Sequence, residues 1–286
     1  MAKILQQSIF VLFFIFIISI SPLLITWNEN TITFHLNNIL VGFESLKNMV
    51  TNLNLGTYTL GATEREILPD LFHFASHTFI ILLSSVVIGI FFSLIFAVFL
   101  NRFFGTRFLS VALHTLTIVP DFILILFSIT FAVQIYQWTG IRVISLRPDT
   151  DPINLWFPIV VLSIAPTLYL FKLLTVRYRQ ISEEDYILTA VAKGLSVPYI
   201  NFQHMYKNIE PFLKADLTKV ISMTVGNLFI VEFLLNVPGL TKFLFAVNYQ
   251  FQLTFIILLL LFLMSIIVYM IINFLLFLLK KGIIYE

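Results

Sequence analysis

The chain has 286 residues, of which 59% are hydrophobic and only 11% charged, and its mean hydropathy is +0.98. A soluble domain carries roughly 25% charged residues, so this chain lacks the polar surface to face water on all sides, and the bilayer is its solvent. The absence of Cys excludes disulfides, thiolate metal sites and cysteine nucleophiles, and a net charge of +2 gives no footing for nucleic acid.

A spanning helix needs about 20 mostly apolar residues. Stretches without Asp, Glu, Lys, Arg or His predict six spans and an all-α integral membrane protein. The first is Ile4–Asn28; its apolar core is too long for a signal-peptide h-region, and no small-residue cleavage site follows, so it reads as a retained helix in residues 1–28. Residues 29–77 form a polar segment on the outer side. The remainder, 78–286, holds five more spans: Thr78–Asn101; Phe122–Ile141, with Thr115–Pro120 extending it upstream; Ile153–Phe171; Val220–Val237, interrupted by Glu232; and a last helix from about Leu253. Asn248, Gln250 and Gln252 read as an interfacial loop before that last helix.

Lys and Arg set the orientation. With the N-terminus inside, Lys3, Arg102, Arg107, Lys172, Arg177, Arg179, Lys193, Lys207, Lys214, Lys219, Lys280 and Lys281 are cytoplasmic. Only Lys47, Arg65, Arg142, Arg147 and Lys242 are outside. Both termini are then expected in the cytoplasm. Trp27, Trp138 and Trp156 fall at outer ends of spans, as an aromatic belt requires.

The cytoplasmic loop, 176–213, breaks the apolar pattern. Ser182 is a cap for a helix whose first turn carries Glu183, Glu184 and Asp185 at the positive end of the dipole. Ile187, Ala190, Val191, Gly194 and Leu195 share one face. Gly194 ends this helix, and Ser196 with Pro198 starts another, on which Tyr199, Phe202, Tyr206 and Ile209 align. Such a hairpin either lies on lipid headgroups or projects as a docking element.

The string Asp185-Tyr186, Thr189-Ala190, Ala192-Lys193-Gly194-Leu195-Ser196, followed by His204, Asn208 and Pro211, resembles the coupling loop of bacterial ABC importer permeases. The resemblance is to the inner-membrane permeases for oligopeptides, dipeptides and nickel. Lys207 stands where that family usually has Arg, and Leu235 where it has Phe, between Glu232 and Pro238-Gly239-Leu240. Weaker similarity covers Asn54-Leu55-Gly56 with Tyr58, Val119-Pro120-Asp121-Phe122, and Phe157-Pro158. The family's Ala-Pro-Gly-Asp-Pro-like stretch after the first span is missing, so the early outer segment is divergent.

The resemblance implies an ABC importer type I permease fold with no catalytic residue. It implies an ATPase-coupling surface of Asp185, Tyr186, Thr189, Ala190, Ala192, Lys193, Gly194, Leu195, Ser196, His204 and Asn208. The chain has no phosphate-binding Gly-x-x-x-x-Gly-Lys-Ser/Thr sequence, so ATP is expected on two partner ATPase subunits and no cofactor in this chain. A second homologous permease and an extracytoplasmic substrate-binding protein complete the implied assembly in the bacterial plasma membrane, with peptides or similar solutes as cargo.

Asp121, Glu232, Pro238 and Gly239 are candidates for the translocation pathway. Glu232 is an ionisable group inside a span, functional by default unless it only ties neighbouring helices together. Pro120 is expected to kink the third span, with Asp121 satisfying the freed backbone or lining the route. His35, His73, His77, His114 and His204 lack ligand spacing, and no metal centre is expected. Two other classes stay open. An intramembrane enzyme or scaffold would need paired acids, a Ser/His pair or metal ligands at depth. A secondary transporter would usually have more spans and internal repeats.

Overall fold

The computed structural model describes residues 2–28, 31–52, 55, 57–60, 63–99, 106–141, 144, 155–246 and 250–283. These are mostly helical, and they fall into two compact units: Met1–Thr78 with Pro238–Met264, and Phe79–Val237 with Ser265–Glu286. The sequence comparisons with Asn54 and Gly56, and the expectation at Asn248, fall on residues outside the described set.

In the first unit, α1 (Ala2–Leu24) leads into an antiparallel hairpin of β1 (Ile25–Asn28) and β2 (Thr31–Phe34), with Ile25 paired to Phe34. The amphipathic α2 (Asn38–Asn52) follows. Asn38 Nδ2 donates to the Leu23 carbonyl at 2.7 Å, tying α2 to the end of α1. Gly42 allows the close approach of these helices, since a Cβ there would come within 2.4 Å of Ile20 Cδ1. A second hairpin, β3 (Thr57–Leu60) and β4 (Thr63–Glu66), leads directly into α3 (Ile67–Leu94). Tyr58 is buried edge-on against Phe243, and its hydroxyl donates to Asp70 at 2.5 Å. The second long helix therefore begins inside the stretch expected to be outer segment. The acidic Asp70 in its first turn suits the dipole and has a partner in Tyr58, so it does not break the helix.

The second unit is built on α6 (Trp156–Ser182) and α9 (Tyr206–Leu234), the most extensively packed helix pair. Leu170, Leu174, Ile209, Leu213, Leu217 and Val220 form the centre of their shared apolar core, with Leu82 and Val86 of α3 against them. Gly89 lets α3 close onto α6: an added Cβ would lie 2.9 Å from Pro166 Cβ. The last helix, α11 (Phe251–Ile283), contributes Val268, Ile272 and Leu276 to the same core. It starts slightly earlier than expected, so Gln252 belongs to the helix and not to the loop before it.

The third span differs from its expected form. A separate helix, α4 (Thr106–Leu116), is followed by a turn over 117–120, and α5 starts at Asp121 and runs to Thr139. Thr115–Pro120 does not extend α5, and Pro120 does not kink it. Pro120 is the N-cap, with φ −57° and ψ 140°. The ring lacks an N–H and disfavours helical backbone before it, so the chain breaks there. Gly140, in the left-handed region at φ 71°, closes the other end.

The loop after α6 also departs from expectation. The helix continues past Phe171 to Ser182, whose hydroxyl bonds back to the Arg179 carbonyl and caps nothing. The N-cap of α7 (Asp185–Ala192) is Glu184 in extended backbone. After it, α8 (Val197–Ile200), a π-turn at Asn201–Met205 and α9 run on as one rod. The second short helix is therefore the beginning of the membrane-length helix that continues as α9.

Among the described residues, five helices are long and apolar enough to cross a bilayer: Ile67–Val98, Asp121–Thr139, Trp156–Ser182, Val197–Leu234 and Phe251–Gly282. The apolar stretch Ile9–Leu24 of α1 is shorter.

Candidate functional site

The shape of α7 is set by its ends. Asp185 opens the helix at the positive end of its dipole. At the far end, Gly194 takes φ +74°, a left-handed value that an L side chain resists. The Gly194 N–H then reaches the Val191 carbonyl at 2.9 Å, and the Leu195 N–H reaches Ala190 at 3.3 Å. These are the two bonds of a Schellman stop. Ser196, in extended backbone, then starts α8 with Pro198 in its first turn, without a side-chain cap bond. The joint between the two helices is thus as sharp as the Gly-Leu-Ser-x-Pro run predicts.

Burial splits α7 into two faces. Ile187 and Ala190 point inward, into the core shared by α6 and α9. Leu188 is 54% exposed, Val191 45% and Tyr199 49%, and Asp185, Thr189, Ala192, Lys193, Gly194, Leu195 and Ser196 are exposed beside them. The expected common face of Ile187, Ala190, Val191, Gly194 and Leu195 is therefore divided: Ile187 and Ala190 are buried, and Val191, Gly194 and Leu195 are exposed. The π-turn does the same to α8. An extra residue in the turn rotates the downstream part of the helix, so the expected face of Tyr199, Phe202, Tyr206 and Ile209 is split: Tyr206 and Ile209 are buried, and Tyr199 and Phe202 are exposed.

The sequence-predicted residues Tyr186, His204 and Asn208 come together. Asn208 Nδ2 donates to the Tyr186 hydroxyl and to the His204 carbonyl, both at 2.9 Å. The His204 ring lies 6.4 Å from that of Tyr186 and 6.1 Å from that of Tyr199. This cluster clips the start of α7 to the foot of α9. Desolvation, and then the charge of Glu184, push the Tyr186 hydroxyl above its ordinary range, so it stays protonated.

Two groups that sequence reasoning missed hold the base beneath. Asn201 is buried, accepts from the Tyr178 hydroxyl at 3.1 Å and donates to the Val98 carbonyl at 3.1 Å, linking α6, the π-turn that leads into α9 and the π-helical turn Ile95–Phe99 that continues α3. Glu210 is buried against Lys214 and, at 3.3 Å, Lys280. An acid four residues before a lysine on a helix was the available signal for the first pair. Nothing local pointed to Lys280. These contacts put the ends of α3, α6 and α11, the start of α9, and α7 at one end of the second unit.

The pathway candidates separate. Asp121 accepts from Asn227 Nδ2 of α9 at 3.0 Å. It also lines a cavity of about 510 Å³ with Tyr169, Lys172, Arg177, Gln180 and Met223. Glu232 is fully buried in the last turn of α9, and its carbonyl accepts the Val237 N–H at 3.0 Å; it does not line that cavity. Gly239 and Pro238 belong to the other unit. The Gly239 carbonyl accepts the Phe243 N–H at 2.9 Å, starting α10 (Leu240–Ala246), and the Leu240 N–H donates to Thr78 Oγ1 at 2.8 Å. Their role in that unit is to turn the chain into α10.

A search of curated proteins found no match. Residues 85–283 match the family described as binding-protein-dependent transport system inner membrane component. The matched stretch runs from α3 to the end of α11, includes the whole α7 surface, and covers well over half of the sequence. The chain belongs to this family of ABC importer permeases, the binding-protein-dependent inner membrane components.

Proposed function

We propose that this chain is a six-span permease subunit, with α1 as the sixth span, of a peptide-type ABC importer. It pairs with a second homologous permease, and two cytoplasmic ATPase subunits drive the pair. An extracytoplasmic binding protein delivers peptides or similar small solutes. Both chain ends are cytoplasmic, as the distribution of Lys and Arg requires. Asp121 lies on the route; Glu232, Pro238 and Gly239 are candidates for shaping it.

The observation that carries this reading is the outer face of α7. Leu188, Val191 and Leu195 are exposed beside small Ala192 and Gly194, at the end of the unit that also holds Lys280. An exposed apolar patch ringed by polar groups is what a docking partner covers. The inner face, with the Tyr186–Asn208 clip, joins that patch to α6 and α9. A pull on α7 therefore moves two spans as a body. Lys193 on the rim suits an acidic groove. The peptide assignment rests on the likeness of the Asp185–Ser196 string to the peptide and nickel permeases.

The test is co-purification with the ATPase subunits. Deletion of Asp185–Ser196, or Gly194→Trp, is expected to abolish it while the permease still reaches the membrane. Undiminished association after the deletion would refute the assignment.

A further inference from the structure

We infer that the cavity between the α4–α5 turn, α6 and α9 is a holding site for a short zwitterionic peptide. Asp121 takes the amino end and Lys172 the carboxylate end. This rests on the permease reading above and adds a site and a recognition chemistry to it.

The cavity's volume of about 510 Å³ falls within the roughly 300–1,000 Å³ of small-molecule sites. Its walls are mainly apolar, with Leu116, Leu168, Leu173 and Met223 among them, and Met adapts to varied side chains. Asp121 and Lys172 line the cavity at different levels, and its α6 wall continues past Lys172 to Arg177 and Gln180. Asp121 also lines a narrow crevice with Ala165 and Asn227, which sets it at the level of Ala165 on α6. Lys172 lies two turns along α6, about 10 Å at 1.5 Å per residue. Three extended residues cover about 10 Å. Arg177 is already engaged, donating to Gln180 Oε1 at 2.9 Å and stacked 4.2 Å over the Phe212 ring, whereas Lys172 is exposed at the rim.

A phospholipid is the competing occupant, since its phosphate would suit Lys172. Its acyl chain would then lie against the Asp121 carboxylate and the Asn227 amide, a polar end that hydrocarbon cannot satisfy. The arrangement of charges favours the peptide.

The chain has no Cys, so Met223→Cys gives this chain one thiol, placed in the cavity and read by the mass of this chain. In the assembled importer in nanodiscs, trialanine is expected to slow maleimide labelling of this thiol. N-acetyl-trialanine and trialanine amide should each need about tenfold more peptide for the same protection, one charge-assisted contact being lost in each. Asp121→Asn should erase the difference between free and N-acetylated peptide, and Lys172→Gln the difference between free and amidated peptide. The inference is overturned if saturating trialanine gives no protection, if the capped peptides protect equally, or if phosphatidylglycerol alone controls labelling. ATPase subunits retained in those same preparations would leave the permease reading standing.

Discussion

Gly194 offers the sharpest perturbation of the α7 surface, because space and backbone can be separated there. A Cβ at Gly194 would meet nothing within 4 Å, yet the residue sits at φ +74°. Gly194→Ala therefore introduces no clash and only the left-handed penalty, about 1–2 kcal/mol. The turn can escape the penalty by unwinding the Schellman stop, which swings Leu195 and Ser196 away from the face they share with Val191. That free energy corresponds to an approximately 5- to 30-fold shift toward the unwound state, and ATPase affinity should fall by up to that factor. Asn tolerates left-handed backbone better than Ala, so the predicted order of affinity is Gly, then Asn, then Ala. The assay is a titration of detergent-solubilised permease pairs with the purified ATPase subunit. Thermal unfolding is monitored alongside, and the midpoint should fall by no more than this penalty of about 1–2 kcal/mol allows. Equal affinity for Gly194→Ala and wild type, or weaker binding for Asn than for Ala, would show that the left-handed turn does not shape the docking face.

Further predictions concern the frame around this surface. Gly89→Ala forces a Cβ to 2.9 Å from Pro166 and should destabilise the protein by about 1–3 kcal/mol. Gly226→Ala, with open space around it, should stabilise its helix by about 0.5–1 kcal/mol; thermal unfolding of the isolated chain in detergent separates the two signs. Asn201→Ala removes the buried bonds to the Tyr178 hydroxyl and the Val98 carbonyl, at about 1–3 kcal/mol, and should lower the same midpoint. Tyr58 is pushed up to about 12 by burial and by its bond to Asp70. A raised folded-state value means its contribution is complete below the ordinary value near 10 and is lost between pH 10 and pH 12. Absorbance titration of tyrosinate, with Tyr58→Phe as control, should find that late-titrating group and its removal.

The apolar runs made the long helices legible, because a bilayer demands unbroken stretches of that length. The sharp end of α7 was legible too, since few residues but glycine accept the backbone of Gly194. Errors arose where a local rule had a competitor. Pro120 could kink a helix or cap one, and the missing N–H with the turn before it favoured the cap. Ser182 could cap a helix or fold back on its own, and the Arg179 carbonyl took its hydroxyl. The Tyr199–Ile209 face assumed a constant 3.6-residue period, which the π-turn at Asn201–Met205 breaks. Helix α3 begins at Ile67 because Asp70 finds Tyr58 as a partner, a contact invisible to a search for uncharged runs. The site residues Tyr186, His204 and Asn208 were found through resemblance, but the bond that joins them needed coordinates. The Glu210–Lys280 pair, between residues far apart in sequence, had no local signature.

Contact between an ATPase and the outer face of α7 can be trapped with a photo-crosslinking amino acid at Val191 in the intact importer in cells. An adduct between this chain and the ATPase subunit is expected, and it should disappear when Gly194 is also changed to Trp. Crosslinking at Val191 to lipid alone, or to the extracytoplasmic binding protein, would contradict it.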